Sequence, residues 1–308
     1  MKISGFSMCR NAESLYYPFL ESIKSALPLV DEFVIAVGRG NPADRTLEMI
    51  HEFNHPKIKV LETDWDLEAF PKGTVHAQQT DLAKSHCTGD WLLYLQADEV
   101  LHEGDLDSIR EACTDFLDDH TVEGFLLDYI HFWGDYKHCQ NSHAWYYKEI
   151  RIIRNNPEIH SWQSAQSFRC MPHFDGRSYR QKKGTRKLNV VKIDATIYHY
   201  GWVRPPALMI QKMNELDKIH SHKIQRFKGE MNYGDLAALP TFTGTHPIVM
   251  KDRIDRFDWK PDSKVSGVNV PQRQNHWRYR LLTWIEINLL SGRRLFTFKN
   301  FRLLKIAK

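Results

Sequence analysis

Two runs in the first hundred residues leave the fold little freedom. EFVIAV (32–37) and DWLLYL (90–95) are apolar nearly throughout, so a strand built from either needs cover on both faces. KISGFS (2–7) and KIKVLET (57–63) read as further strands, and the stretches between carry a helical period. Residues 12–26 put Leu15, Phe19, Leu20 and Ile23 on one face, and 44–53 and 75–86 are helical too. Such alternation predicts a Rossmann-like, mostly parallel sheet flanked by helices, with ligands bound beyond the carboxyl ends of the strands.

From about Gly124 the character changes to longer mixed strands, GFLLDYIHF (124–132) and EIRIIRN (149–155), with many aromatics between them. At 308 residues, 42% hydrophobic and 26% charged, the chain can bury a substantial core, which excludes disorder of the whole. The expected division is a nucleotide half at 1–117, an α+β acceptor half of the same domain at 118–204, and a helical extension at 205–308.

Net charge is +4, with the excess in RQKKGTRK (180–187) and in the tail from Arg278 onward. A phosphate-bearing partner fits this balance. No zinc-finger spacing or RNA-binding aromatic signature is present, so no nucleic-acid partner is expected. Five scattered cysteines, an N-terminal stretch without the apolar core of a signal peptide, and no run near membrane-spanning length predict reduced thiols and a cytoplasmic setting.

The strand at 90–95 ends in Gln96-Ala97-Asp98-Glu99. Carboxylates at the end of a buried parallel strand lie where the sheet opens, and hard oxygen ligands there suit Mg²⁺ or Mn²⁺ bridging a diphosphate. GDWLLYLQADEVL (89–101), ISGFSMCRNAE (3–13) and DEFVIAVGRGNPADRTLEMI (31–50) resemble, in that order, the strands and turns of glycosyltransferase family 2. The resemblance implies a GT-A fold and inverting transfer of a sugar from a nucleoside diphosphate donor to a glycan or lipid-linked acceptor.

It also implies roles for individual residues. Asp98 matches the metal-coordinating Asp, Gln96 stands where a first Asp is usual, and His199 in IYHYGWVRPP completes the metal or diphosphate site with Arg204 close behind. Ser7, Arg10 and Asn11 match the loop along the nucleotide base. Gly38, Arg39 and Asp44 fall in the loop after the second strand, although Asp44 is equally an N-cap, and Gln79 lies on the helix before the key strand. Gln166 occupies the neighbourhood of a catalytic Glu, leaving the base open among Glu99, Glu149, Glu158 and Asp175.

Rival readings are a nucleotide-binding relative without activity, favoured by Gln96 and Gln166, and a metal phosphohydrolase using Asp98. A zinc site among His138, Cys139, His143, Cys170 and His173 lacks paired ligand spacing, whereas Trp133, Tyr136, Trp145 and Tyr146 suit a wall for a sugar ring. At the C-terminus, Leu281, Leu282, Trp284, Ile285, Leu289 and Leu290 predict a helix packed on the sheet. The tail beyond Gly292 interleaves Arg293, Arg294, Lys299, Arg302, Lys305 and Lys308 with Phe296, Phe298, Phe301 and Leu303, as a peripheral contact with an anionic membrane requires.

Overall fold

The apolar runs become neighbouring strands in the computed structural model of the chain, which describes residues 1–221, 227–261, 273–295 and 299–306. The first half runs β1 (Ile3–Cys9), α1 (Phe19–Ala26), β2 (Glu32–Gly38), α2 (Thr46–Phe53), β3 (Ile58–Thr63), α3 (Thr74–Ser85), β4 (Trp91–Tyr94), β5 (Glu99–Leu101) and α4 (Leu106–Asp115). The second half adds β6 (Gly124–Trp133), β7 (Lys148–Arg154), β8 (Ile159–Trp162), β9 (Ser167–Cys170), β10 (Arg186–Trp202), α5 (Pro206–Ser221), α6 (Lys251–Asp255), α7 (Trp277–Asn288) and β11 (Phe301–Ile306).

The sheet is ordered β3-β2-β1-β4-β7-β6-β10-β9-β8, with β5 and β11 pairing on β10. β3, β2, β1 and β4 are mutually parallel, as the alternation predicts, and β7 enters antiparallel beside β4. Period-two burial fills both faces. Phe33, Ile35 and Val37 pack with Phe19, Ile23 and Ile50 on one side, and Val34 and Ala36 pack with Ala83 and Tyr94 on the other.

Three expectations change in detail. The helix expected at 12–26 is confined to α1, because Pro18 has no N–H for a helix interior and 11–17 form turns with positive φ at Asn11 and Tyr16. The tail, expected as an amphipathic end, carries β11, which pairs parallel with the start of β10 from Leu188↔Phe301; Phe296, Phe298 and Lys308 lie outside the described residues. The helix expected to pack through its leucines instead leaves Leu281 50% and Trp284 55% exposed, for reasons that lie on its opposite face.

Candidate active site

Chain order fixes where a ligand can enter. From β1 the chain crosses to β2 on one side, and later to β4 on the other, so the sheet splits its connections between β1 and β4; crevices form outside the carboxyl ends of strands at such a point. A cavity of about 300 Å³ lies there, lined by Met8 and Cys9 at the end of β1 and Arg10 to Ala12 after it, by Gln96 to Asp98 after β4, and by Lys212, Glu215 and His220 of α5.

Strand register assembles its polar floor. β5 pairs with β10 through Glu99↔His199, and β10 pairs with β6 through His199↔His131, so three rows bring these side chains abreast. Asp98 Oδ2 accepts from Lys212 Nζ at 3.2 Å and lies 3.8 Å from His199 Nε2. Lys212 Nζ also donates to the Gly201 carbonyl at 2.7 Å. All three side chains are under a tenth exposed.

Charge follows from this packing. Burial would raise the Asp98 carboxyl, but Lys212, His199 and Arg204 outweigh it and hold it down at about 2. Burial and Arg204 pull Lys212 down to about 7 against the opposing pull of Asp98. Burial lowers His199 from the ordinary imidazole value, Asp98 again opposing, and lowers His131 further. The two imidazoles therefore sit neutral, and their tautomers are determined. His131 Nε2 meets the Tyr146 carbonyl at 2.6 Å, which only accepts, so Nε2 donates there and His131 Nδ1, with the lone pair, accepts from His199 Nδ1–H at 3.0 Å. His199 Nε2 is left as a lone pair beside Asp98.

The carboxylates of Asp98 and Glu99 part company here. Glu99 is fully buried, gripped by Arg151 through Nε at 2.7 Å and Nη2 at 2.8 Å, with Tyr129 donating at 2.9 Å; it serves the core rather than the cavity. Gln96 lines the cavity, but its side-chain amide donates to the Ala165 carbonyl at 2.9 Å. At a diphosphate, Mg²⁺ or Mn²⁺ is held by the phosphate oxygens, water and at least one or two free carboxylates. Asp98 shares its oxygen with an ammonium, Gln96 is neutral and engaged, and among the described residues no three of His, Cys, Asp or Glu converge to hold a metal. The donor set does not fit a divalent cation.

Of the other anticipated residues, Arg10 and Asn11 line the cavity, with Arg10 Nε on the Arg39 carbonyl at 2.9 Å and its guanidinium over Trp65. Ser7 is buried within β1, outside the lining. Gly38 acts by absence: a Cβ there would sit 2.1 Å from Trp65 Nε1, so the glycine admits the indole that walls the cavity. Arg39 points outward to Asp64 at 3.5 Å. Asp44 receives the N–H groups of Thr46 and Ser14, tying the start of α2 to the loop after β1, one residue before the N-cap position, which is Arg45. Gln79 is buried and accepts from Thr63, tying α3 to β3. Arg204 is fully buried, donating to the Leu15 carbonyl at 2.6 Å and facing Tyr17, while Nε and Nη2 have no acceptor.

A second cleft of about 580 Å³ meets the first at Tyr146, Gln166 and His199. Trp145, Tyr147, Trp202 and Tyr279 line it, so of the four aromatics suggested for a sugar wall Trp145 and Tyr146 lie here, whereas Tyr136 is buried in a core cluster and Trp133 lines another groove. Glu149 lies in this cleft, its carboxyl raised by burial and hydrogen-bonded to Ser167 at 2.8 Å. Glu158 and Asp175 line neither cavity; Asp175 caps its own turn. The zinc candidates scatter: His138 pairs with Asp135, and His143 with Glu286.

Lys212 and His131 were not legible as site residues, since a lysine on a helix is ordinarily solvated and a lone histidine in an apolar strand is ordinarily core.

No protein-family model and no curated protein matches the chain. Among solved structures it is similar to S. aureus TarS at 15% identity over 70% of this chain and 39% of that one, with a TM-score of 0.39. It is similar to TarS 1–349 in complex with UDP-GlcNAc at 22% identity over 43% and 35%, with a TM-score of 0.29. The mannosyltransferase PcManGT from Pyrobaculum calidifontis, in complex with GDP-Man and Mn²⁺, matches at 18% identity over 40% and 34%, with a TM-score of 0.30. The aligned part spans little more than a third of these chains, and likenesses so partial carry nothing about substrate.

Proposed function

We propose that the chain transfers a sugar from a nucleoside diphosphate donor in the β1/β4 cavity to an acceptor hydroxyl in the aromatic cleft beside it. The observation that carries this reading is the meeting of the two cavities at His199, whose Nε2 lone pair is set by His131. In one displacement the acceptor oxygen bonds the anomeric carbon, the bond from that carbon to the diphosphate oxygen breaks with its electron pair, and the hydroxyl proton passes to His199 Nε2. A single displacement inverts the anomeric centre. Asp98, held ionised, stabilises the imidazolium that forms, while its pairing with Lys212 keeps it from acting as a covalent nucleophile.

The test is release of nucleoside diphosphate from UDP-, GDP- and dTDP-linked hexoses, with and without glycan acceptors. His199→Gln is expected to lower transfer by about 10²- to 10⁴-fold. Glu149→Gln is the control: loss there with His199→Gln unaffected would move the base to Glu149. Neutral Gln96 and Gln166 favour one rival, a binding protein without transfer. Tight nucleotide binding with no release by the parent chain would establish that rival instead.

We further propose that the acceptor is lipid-linked and that α7 lies on an anionic membrane. α7 turns polar Tyr279, Thr283 and Glu286 inward, where Thr283 Oγ1 accepts from His143 N and Glu286 pairs with His143, and leaves Trp277, Leu281 and Trp284 outside. Tyr279 lines the acceptor cleft, so the same helix touches both. No described helix is long and apolar enough to cross a membrane.

A further inference from the structure

Lys212 lies where a glycosyl donor presents its charge, in a cavity whose donor set does not fit a divalent cation. Its ammonium is positioned from three sides. Asp98 Oδ2 and the Gly201 carbonyl accept from it, and the Tyr17 ring, itself in the cavity wall, stands 4.8 Å away. A compact ammonium held this way is a fixed point charge, suited to phosphate oxygens. Arg204 stands behind, fully buried, with two guanidinium nitrogens lacking acceptors.

With Lys212 protonated, Asp98, Lys212 and Arg204 together leave one positive charge in the buried part of the site. Two carboxylates at positions 96 and 98 would need a metal to reach the same balance; with Gln96 neutral, the lysine reaches it alone. We propose that Lys212 supplies the cation at the diphosphate, so that the nucleoside diphosphate is bound and leaves without a divalent metal. This deepens the transferase reading of the same cavity and rests on it.

The probes are UDP and GDP with their monophosphates UMP and GMP, titrated calorimetrically against the full chain in EDTA and again with Mn²⁺ or Mg²⁺. The parent chain is expected to bind at least one diphosphate equally well in EDTA and with metal. Lys212→Met should weaken that diphosphate by about 10- to 100-fold, the range of a lost hydrogen bond to a charged group, while the monophosphate changes little. Lys212→Arg should restore part of the loss. A purely structural lysine would lower the diphosphate and monophosphate affinities alike, which overturns the proposal.

Binding by the parent chain only in the presence of metal also overturns it, and leaves the transferase reading standing. Absence of binding by any nucleotide in every buffer overturns both. Should Lys212→Met fail to fold, the EDTA titration of the parent chain decides alone.

Discussion

Gly201 leaves no room for a side chain. A Cβ there would stand 2.6 Å from His199 Nε2 and 2.7 Å from Asp98 Oδ2, closer than real contacts allow, so an alanine must displace one of them. Gly201→Ala is expected to reduce turnover on the order of a hundredfold, the scale of a misplaced catalytic group, with a small change in melting temperature. Turnover at the parental rate would show that this spacing is not used. The base assignment also sets the acid limb of the pH profile. Because burial lowers His199, and the pull of Asp98 does not fully offset it against Lys212 and Arg151, kcat/KM should persist below the ordinary imidazole value of 6.5 before falling as Nε2 is protonated. His199→Gln should remove that limb. That Asp98 would line the cavity was legible because the carboxyl end of a buried parallel strand is where the sheet opens. The neighbouring Glu99 misled for a physical reason: Ala97 and Asp98 form a turn, Glu99 begins β5, and what holds it inward is Arg151, 52 residues distant.

Arg154 shows how an element is finished from another strand. Its guanidinium lies 4.3 Å over Trp91 and donates to the carbonyls of Phe116, Leu117, Asp119 and Val122, in the turns that follow α4. Arg154→Ala strips these carbonyls together and is expected to cost about 2–4 kcal/mol in urea unfolding; a loss below about 0.5 kcal/mol would mean water replaces the guanidinium. On β2, Glu32 accepts from Ser4, Thr88 and Lys59, contacts that outweigh burial and hold its carboxyl far below the usual range. Its stabilisation is therefore complete above the ordinary Glu value and is lost as pH falls below it. Glu32→Gln should flatten the melting temperature against pH in that acid range; an unchanged slope would assign acid lability elsewhere. Elements that one residue pattern dictates were readable: two-sided apolar β2 and β4 admit no other place. β5 and β11 were not, because three or six residues become a strand only when β10 offers an edge, and no local signal reports that edge.

At the scale of the molecule, α7 inverts the usual order of a surface helix. Packing normally buries the apolar stripe, yet here the buried position is Glu286, tied to His143 at 2.6 Å and to Arg294 at 2.9 Å, and the stripe of Trp277, Leu281 and Trp284 faces solvent. Around it Arg273, Arg278, Arg280 and Arg293 are exposed. Tryptophans and leucines can enter the lipid interface while each arginine near an anionic surface adds about 1 kcal/mol, so the surface suits an acidic membrane better than a neutral one. The chain is expected to co-sediment with phosphatidylserine-containing vesicles at low salt, much less with phosphatidylcholine alone, and to be released as salt rises. Replacing Trp277, Leu281 and Trp284 together by Ser should abolish binding while leaving release of nucleoside diphosphate from a soluble donor intact, since none of the three lines either cavity of the active site. Removal of residues after Ser291 separates helix from tail: binding that survives it belongs to α7. Equal sedimentation of the parent and the triple variant, or conversion of a dimeric parent to a monomer by the same substitutions, would show that lipid is not what covers this face.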